Sequence, residues 1–461
     1  MANPVPLDLL KSKELSDALD LAQSNGEVVA QNIKLSAIQH PVTTEFGLTV
    51  ETPTQGIDGA NLLVLRHTDT GVIQFVFPVQ GAQPVAQGDG LAHNFGFILP
   101  RQLATTVSDA EKWIGTALKI PQNLETDAID AAARVIEAAS KKEGFVALAN
   151  GYASPPIDGQ LSAANGKRVL LFIHGIFSSI EGAFKDLGDP SASTTMRSLV
   201  QAYQGNVFGY DHWTISKTPL QNALDLLRAI PAGANWDVDV VCHSRGGLIT
   251  RSIFADLAPI DSVSADLKSI VAARNGKIRS VNKVIFVAAA NQGSQLADPD
   301  SLRNFLNIAA LLASRSPCFS LTLVIGLARL LVSSLFNLQS IQQLSTHSPL
   351  VSDLNTVHSI MSEPGIFGAR ADFDSAKSVL LQAGVLLDRL LMQVDNDLVV
   401  PYTGVASPKP DIPESRLLDF GTPGAKQGDV WHTEFFGQEK THTFLNQHLV
   451  ASSPNIQPGV R

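Results

Sequence analysis

Residues 240–251 read VVCHSRGGLITR, and this stretch decides the fold. A β-type apolar run ends at Cys242, a turn follows through His243-Ser244-Arg245-Gly246-Gly247, and a helical pattern begins. A serine at the tip of such a strand–turn–helix needs small residues on either side. The turn is sharp and strained, and it brings the strand and helix backbones close together. The common spacing is G-x-S-x-G; here Cys242 takes the first position and Gly246 the last. Alone, the segment is also compatible with an ordinary small residue at a strand–helix corner.

Three features elsewhere converge on it. Upstream, RVLLFI (168–173) runs into His174-Gly175-Ile176-Phe177, where a glycine turn aims the Ile176 N–H at the same point as that of Arg245. Two preorganised N–H donors are what a developing oxyanion requires. Downstream, Asp395 and Asp397 stand at the end of an apolar segment, two residues apart and so spaced to reach one face of a strand end. Beyond them lies Trp431-His432-Thr433, before a final helix near 441–449. Of the 11 histidines, only His432, His442 and His448 follow the acids, and the last two fall at helical positions. The order Ser, Asp, His differs from that of other serine hydrolase folds and is the one expected of an α/β hydrolase. His243 is expected to pack under the turn, and His174 to stabilise the neighbouring loop.

Residues 166–450 resemble the α/β-hydrolase superfamily, in its lipase and esterase branch. The resemblance rests on IHGIFSS, VVCHSRGGLITR, VIFVAAANQGSQLA and NDLVVP. It implies Ile176 and Arg245 as backbone donors of an oxyanion hole, Asp397 rather than Asp395 as the triad acid, and His432 as the base. Asn291 and Gln292 replace a Pro-His pair that is structural in the family. Together these imply a serine carboxylic-ester hydrolase forming an acyl-enzyme on Ser244, with no cofactor and no metal. A thioesterase, an amidase or a polyester depolymerase would use the same residues. A binding or scaffold protein on the same fold is the reading from another class.

Around these motifs the chain is α/β. Residues 168–173, 238–242 and 284–289 are continuous apolar runs, as buried parallel strands are, and 219–230 has helical periodicity between them. A doubly wound, mostly parallel sheet is therefore expected over 151–461. A smaller β-rich domain is expected over 1–150, with a sandwich-like sheet. Within it, 7–24 reads as a helix, 61–66 and 72–77 as a hairpin, and 108–118 and 125–141 as helices. The Gly/Pro/Ser/Ala-rich stretch 150–166 reads as the linker.

The chain has 461 residues, of which 17% are charged and 44% hydrophobic, with a net charge of −9. Those proportions exclude a disordered chain, and the negative balance argues against binding nucleic acid. Two cysteines outside any C-x-x-C pair exclude thiolate zinc sites and redox motifs. No basic segment precedes an apolar run at the start, so a cytoplasmic location is expected, with leaderless secretion as the alternative. Apolar residues concentrate in 316–337, where Thr322, Gly326, Arg329, Ser333 and Asn337 form a narrow polar stripe. This reads as an amphipathic helix within a helical cap over 298–385, with a core helix or a membrane span as alternatives. The cap reading makes Phe319, Leu323, Leu327 and Leu330, with Phe177, the side chains expected against an apolar acyl group. It also allows contact with a lipid surface.

Overall fold

The computed structural model describes residues 7–39, 46–50, 59–77, 98–99, 111–122, 124–257, 263–298, 301–334, 337–373, 396–421 and 430–451. They form two compact units. The first draws its described residues from Met1–Ser140 and Leu296–Gln342, the second from Lys141–Gln295, Gln343–Phe373 and Val394–Arg461.

The first unit holds β1 (Val28–Gln39), β2 (Phe46–Val50), β3 (Leu62–His67), β4 (Ile73–Val76), β5 (Ile98–Leu99) and β6 (Trp113–Leu118). They make one sheet in the order β4-β3-β6-β1-β2-β5, with every pairing antiparallel. The expected helix at the start is Leu7–Ser24, and the expected hairpin is β3–β4, with Arg66 opposite Ile73. The expected helix over 125–141 is Thr126–Ser140.

Two expectations are corrected here. Residues 113–118, read as part of a helix, are a central strand between β3 and β1; residues 108–110 lie outside the described residues. Gly115 lets the neighbouring strands close in, since a Cβ there would stand 3.0 Å from a Leu63 methyl. Among the described residues the second layer is formed by helices rather than by the second sheet that a sandwich would need. Leu302–Arg315 packs on β4, and Leu321–Ser333 packs on Leu7–Ser24, Thr126–Ser140 and Leu302–Arg315.

That last helix is the apolar segment expected to be an amphipathic cap. Instead it is a core helix, buried from Leu323 to Ser333. Asn337 lies past the helix end and is exposed, whereas within the helix the polar stripe faces protein: Thr322 Oγ1 donates to the Glu14 carbonyl, and Gly326 packs on Ile136. Arg329 grips the Glu27 carboxylate through Nε and Nη2 at 2.5 and 2.7 Å. Phe319, Leu323, Leu327 and Leu330 are buried in this core. Nor is 298–385 one helical insertion, because Gly365–Ala371 is a strand of the main sheet. Among the described residues no helix is long and apolar enough to cross a membrane.

The second unit holds β7 (Gly144–Ala147), β8 (Arg168–Ile173), β9 (Val207–Asp211), β10 (Trp236–His243), β11 (Ile278–Val287), β12 (Gly365–Ala371) and β13 (Leu417–Phe420). Their order is β13-β12-β11-β10-β8-β9-β7, parallel except for β7 at the edge. The sheet thus begins before residues 150–166, which lie inside this unit. From β8 the chain adds β9 on one side and then crosses to add β10 on the other. Order reverses between β8 and β10, and in doubly wound sheets ligands bind beyond the strand ends at such a switch point. Cys242 sits opposite both Ile173 and Phe286, so β8, β10 and β11 end at one level. The central strands are buried on both faces, which explains their unbroken apolar runs.

Replacing Arg329 with Leu would strand Glu27, whose side chain is 13% exposed. Breaking a buried pair from one side costs about 3–5 kcal/mol, whereas replacing both members by apolar groups is often close to neutral. Urea unfolding should therefore show Arg329→Leu strongly destabilised and Glu27→Leu/Arg329→Leu largely restored. Equal destabilisation of the two variants would contradict the pairing.

Candidate active site

Past β10 the chain turns at Ser244, whose φ is +56°, and enters the helix Gly246–Phe254. The left-handed conformation is costly for a serine, and the surroundings enforce it. Ser244 N–H donates to the Val287 carbonyl at 3.2 Å, while the Ser244 carbonyl accepts from Gly247 and Ala290, both at 3.0 Å. Two glycines are required by close approach. A Cβ on Gly246 would meet the Ile173 carbonyl oxygen at 2.6 Å, and one on Gly175 would meet the Ser244 Cβ at 2.6 Å. The loop after β8 therefore lies directly against the serine.

Ser244, Asp397 and His432 meet, each at most 2% exposed. His432 Nε2 is 2.8 Å from Ser244 Oγ, and His432 Nδ1 is 2.9 Å from Asp397 Oδ2. An ionised carboxylate can only accept, so Nδ1 carries the proton and Nε2 is left to accept from the serine hydroxyl. Asp397 sits in a tight turn in which its Oδ1 accepts from the N–H groups of Val399 and Val400 at 3.0 and 2.7 Å. Only Oδ2 is turned to the imidazole. Asn396 Oδ1 accepts from Leu398 N–H at 2.7 Å, and Ser294 Oγ donates to the Val399 carbonyl at 2.6 Å, which fixes the turn from both ends. Asp395, the alternative acid, lies outside the described residues.

The backbone of His432 is held as firmly as its ring. Its N–H donates to the Asp397 carbonyl at 2.9 Å, and its carbonyl accepts from His243 Nε2, also at 2.9 Å. His243 is thus buried beneath the turn, as expected, and braces the histidine opposite. Burial holds its imidazole down to about 3. Cys242 is no rival nucleophile, because burial pushes its thiol up to about 12. His442 Nε2 donates to the Phe436 carbonyl and His448 lies against Phe367, so both take packing roles.

The loop 174–178 has its own support. Phe177 is fully buried with φ +57°, and its N–H donates to Thr214 Oγ1 at 3.2 Å. His174 Nδ1 donates to the Gly175 carbonyl at 2.8 Å, while Nε2 accepts from the His212 N–H at 3.2 Å. The two rings stack at 3.8 Å, and burial drives both imidazoles well below their ordinary value. Lys141 Nζ ties His174 to the Ser178 carbonyl. Arg245, beside the serine, is anchored away from it by Asn222 Oδ1 at 2.7 Å and the Lys217 carbonyl at 2.5 Å. Asn291 and Gln292 hold backbone, through the carbonyls of Val405 and Ser407.

The sequence reading missed Lys141, His212, Thr214, Asn222 and Ser294. Ser294 lies within the quoted run VIFVAAANQGSQLA, but nothing in that run marks it as a partner of the Asp397 turn; the other four lie in no recognisable motif, and each reaches the site's loops only through the fold. Four of the residues expected against an acyl group, Phe319, Leu323, Leu327 and Leu330, belong instead to the core of the other unit. Phe177 remains in the loop beside the serine. Among the described residues no group of acidic, histidine or cysteine side chains is arranged to hold a metal ion.

A mostly parallel sheet with an order reversal at β8/β10, and a left-handed serine turn at that point, define the second unit as an α/β-hydrolase fold. The chain belongs to the family described as Domain of unknown function (DUF7379), whose model matches residues 134–450. No curated protein matches it. Solved structures similar to it include the Bacillus licheniformis lipase BlEst2 in mature form, at 17% identity over 61% of this chain and 91% of that one, TM-score 0.33. Lipase 1 from Pelosinus fermentans matches at 13% identity over 62% and 98%, TM-score 0.39. An epoxide hydrolase from metagenomes of hot environments matches at 12% identity over 61% and 90%, TM-score 0.28.

Three buried neutral imidazoles set an acid limit on the fold. Unfolded, each protonates near 6.5, whereas in the folded chain His174, His212 and His243 resist protonation. Below about pH 6.5 the unfolded state binds more protons, so stability is full above that value and falls as pH drops towards about 3. The urea midpoint should decline from about pH 7 to about pH 4, less steeply in His243→Gln, which keeps a donor for the His432 carbonyl. Equal slopes in the two proteins would contradict a neutral buried His243.

Proposed function

We propose that this protein is a serine hydrolase of carboxylic esters, lipase- or esterase-like, with Ser244 as nucleophile, His432 as general base and Asp397 as the orienting acid. The observation that carries this reading is the continuous hydrogen-bond path from Ser244 Oγ through both ring nitrogens of His432 to Asp397 Oδ2. A serine hydroxyl is a weak nucleophile until a base removes its proton during attack.

The reaction would run in two halves. Ser244 Oγ bonds to the ester carbonyl carbon as its proton passes to His432 Nε2, and the Asp397 carboxylate stabilises the resulting imidazolium. Negative charge on the carbonyl oxygen is met by the backbone N–H groups of Ile176 and Arg245. The carbon–oxygen bond to the alcohol breaks, and the alcohol takes the proton from His432. Water then attacks the acyl-enzyme by the same route and releases the acid. The fixed loop after β8 and the anchored Arg245 side chain suit two donors that must not move as charge develops. Ester preference over amides or thioesters is part of the proposal, as is an apolar acyl group beside Phe177.

Hydrolysis of p-nitrophenyl esters from acetate to palmitate tests it. Ser244→Ala should abolish turnover at every chain length, and Asp397→Asn should lower kcat by about four orders of magnitude through the wrong imidazole tautomer. Wild type and Ser244→Ala that are folded and equally inactive would refute the enzyme reading.

A further inference from the structure

Between the helix Leu7–Ser24 and one face of the first sheet lie two adjoining cavities that share Ser12, Leu15 and Arg66. One, of about 350 Å³, is lined on its apolar side by Leu15, Leu19, Val64 and Ile114. The other, of about 470 Å³, is lined by Arg66 and Arg315, together with Lys11, Asp69 and hydroxyl side chains. All of these residues belong to the first unit.

The charges around the larger cavity do not balance. Lys11 is engaged, donating to the Phe319 carbonyl at 2.7 Å and to Glu14 at 3.3 Å. Asp69 is engaged with Lys112 at 3.4 Å and with the Thr68 hydroxyl at 3.0 Å. Glu14 also accepts from the Leu321 N–H at 2.6 Å. Arg66 and Arg315 are both half-buried, and among the described residues neither guanidinium has a carboxylate or carbonyl partner. Arg315 Nε is shielded from solvent as well. Its place in the last turn of Leu302–Arg315 explains a cation there by the helix dipole, but not a shielded N–H without an acceptor. Burial also lowers the Arg315 guanidinium from its ordinary value. In a chain of net charge −9, two uncompensated arginines in one cavity do not follow from overall composition.

We propose that this groove binds an amphiphilic anion, an alkyl chain bearing a carboxylate or phosphate head. Arg66 and Arg315 hold the head, and the chain lies along Leu15, Leu19, Val64 and Ile114. A guanidinium presents a planar fork that matches either head group in bidentate fashion, and the paired cavities offer the head and the chain separate surroundings. The site is independent of the chemistry at Ser244.

Calorimetric titration of the full chain with octanoate, octyl phosphate, octanol and inorganic phosphate tests the proposal. Octanoate and octyl phosphate should bind saturably, with octanol and inorganic phosphate each weaker by about tenfold or more, the size expected for losing a charge-assisted contact or the apolar chain. Arg66→Gln and Arg315→Gln should each weaken octanoate by about tenfold or more while leaving ester turnover and the unfolding transition unchanged. Arg66→Lys, which keeps the charge without the fork, should fall between. Absence of octanoate binding overturns the proposal. So does octanoate binding that is unaltered in both glutamine variants, or inorganic phosphate binding as tightly as octyl phosphate.

Discussion

The close approach of the loop after β8 to the turn after β10 is the constraint on which the site depends. A Cβ on Gly175 or Gly246 would collide with Ser244 or with the end of β8, so the two strand ends can meet only where side chains are absent. That contact fixes the left-handed Ser244, and the buried helix behind it holds the turn in place. With the serine set, His432 is placed by bonds to its own backbone from Asp397 and His243, and Asp397 by the amides of its turn. Each member of the cluster is positioned by a different element, and none relies on its partner alone.

Burial gives the cluster its electrostatic character. Ser244, Asp397 and His432 are almost wholly shielded, so the hydrogen bonds between them act with little competition from water. The same burial keeps the adjacent His243, His174 and His212 neutral. They support loops without adding charge beside His432, where a second cation would oppose formation of an imidazolium.

Legibility in the sequence follows from how local each determinant is. The serine turn was readable because its glycines and its serine lie within a few residues of one another. The α/β character was readable because strands buried on both faces are apolar throughout. Strand β6 was not, because WIGTAL is a short apolar run whose form is set by β1 and β3, distant partners in the sequence. For Leu321–Ser333 the periodicity located the polar stripe correctly but could not say what faced it. The answer was Glu27, 302 positions upstream, so a stripe that suggested water or lipid proved to be the seam of a core. The brace from His243 and the stacked pair His174–His212 were similarly hidden, since only the sheet brings them to the loops.

The proposed activation of Ser244 as a nucleophile through His432 is addressed most directly by covalent labelling. Incubation with a fluorophosphonate, followed by intact mass and peptide mapping, should show one adduct per chain, located on Ser244 and greatly slowed in His432→Ala. An adduct on any other residue, or labelling of Ser244 at an unchanged rate in His432→Ala, would contradict it.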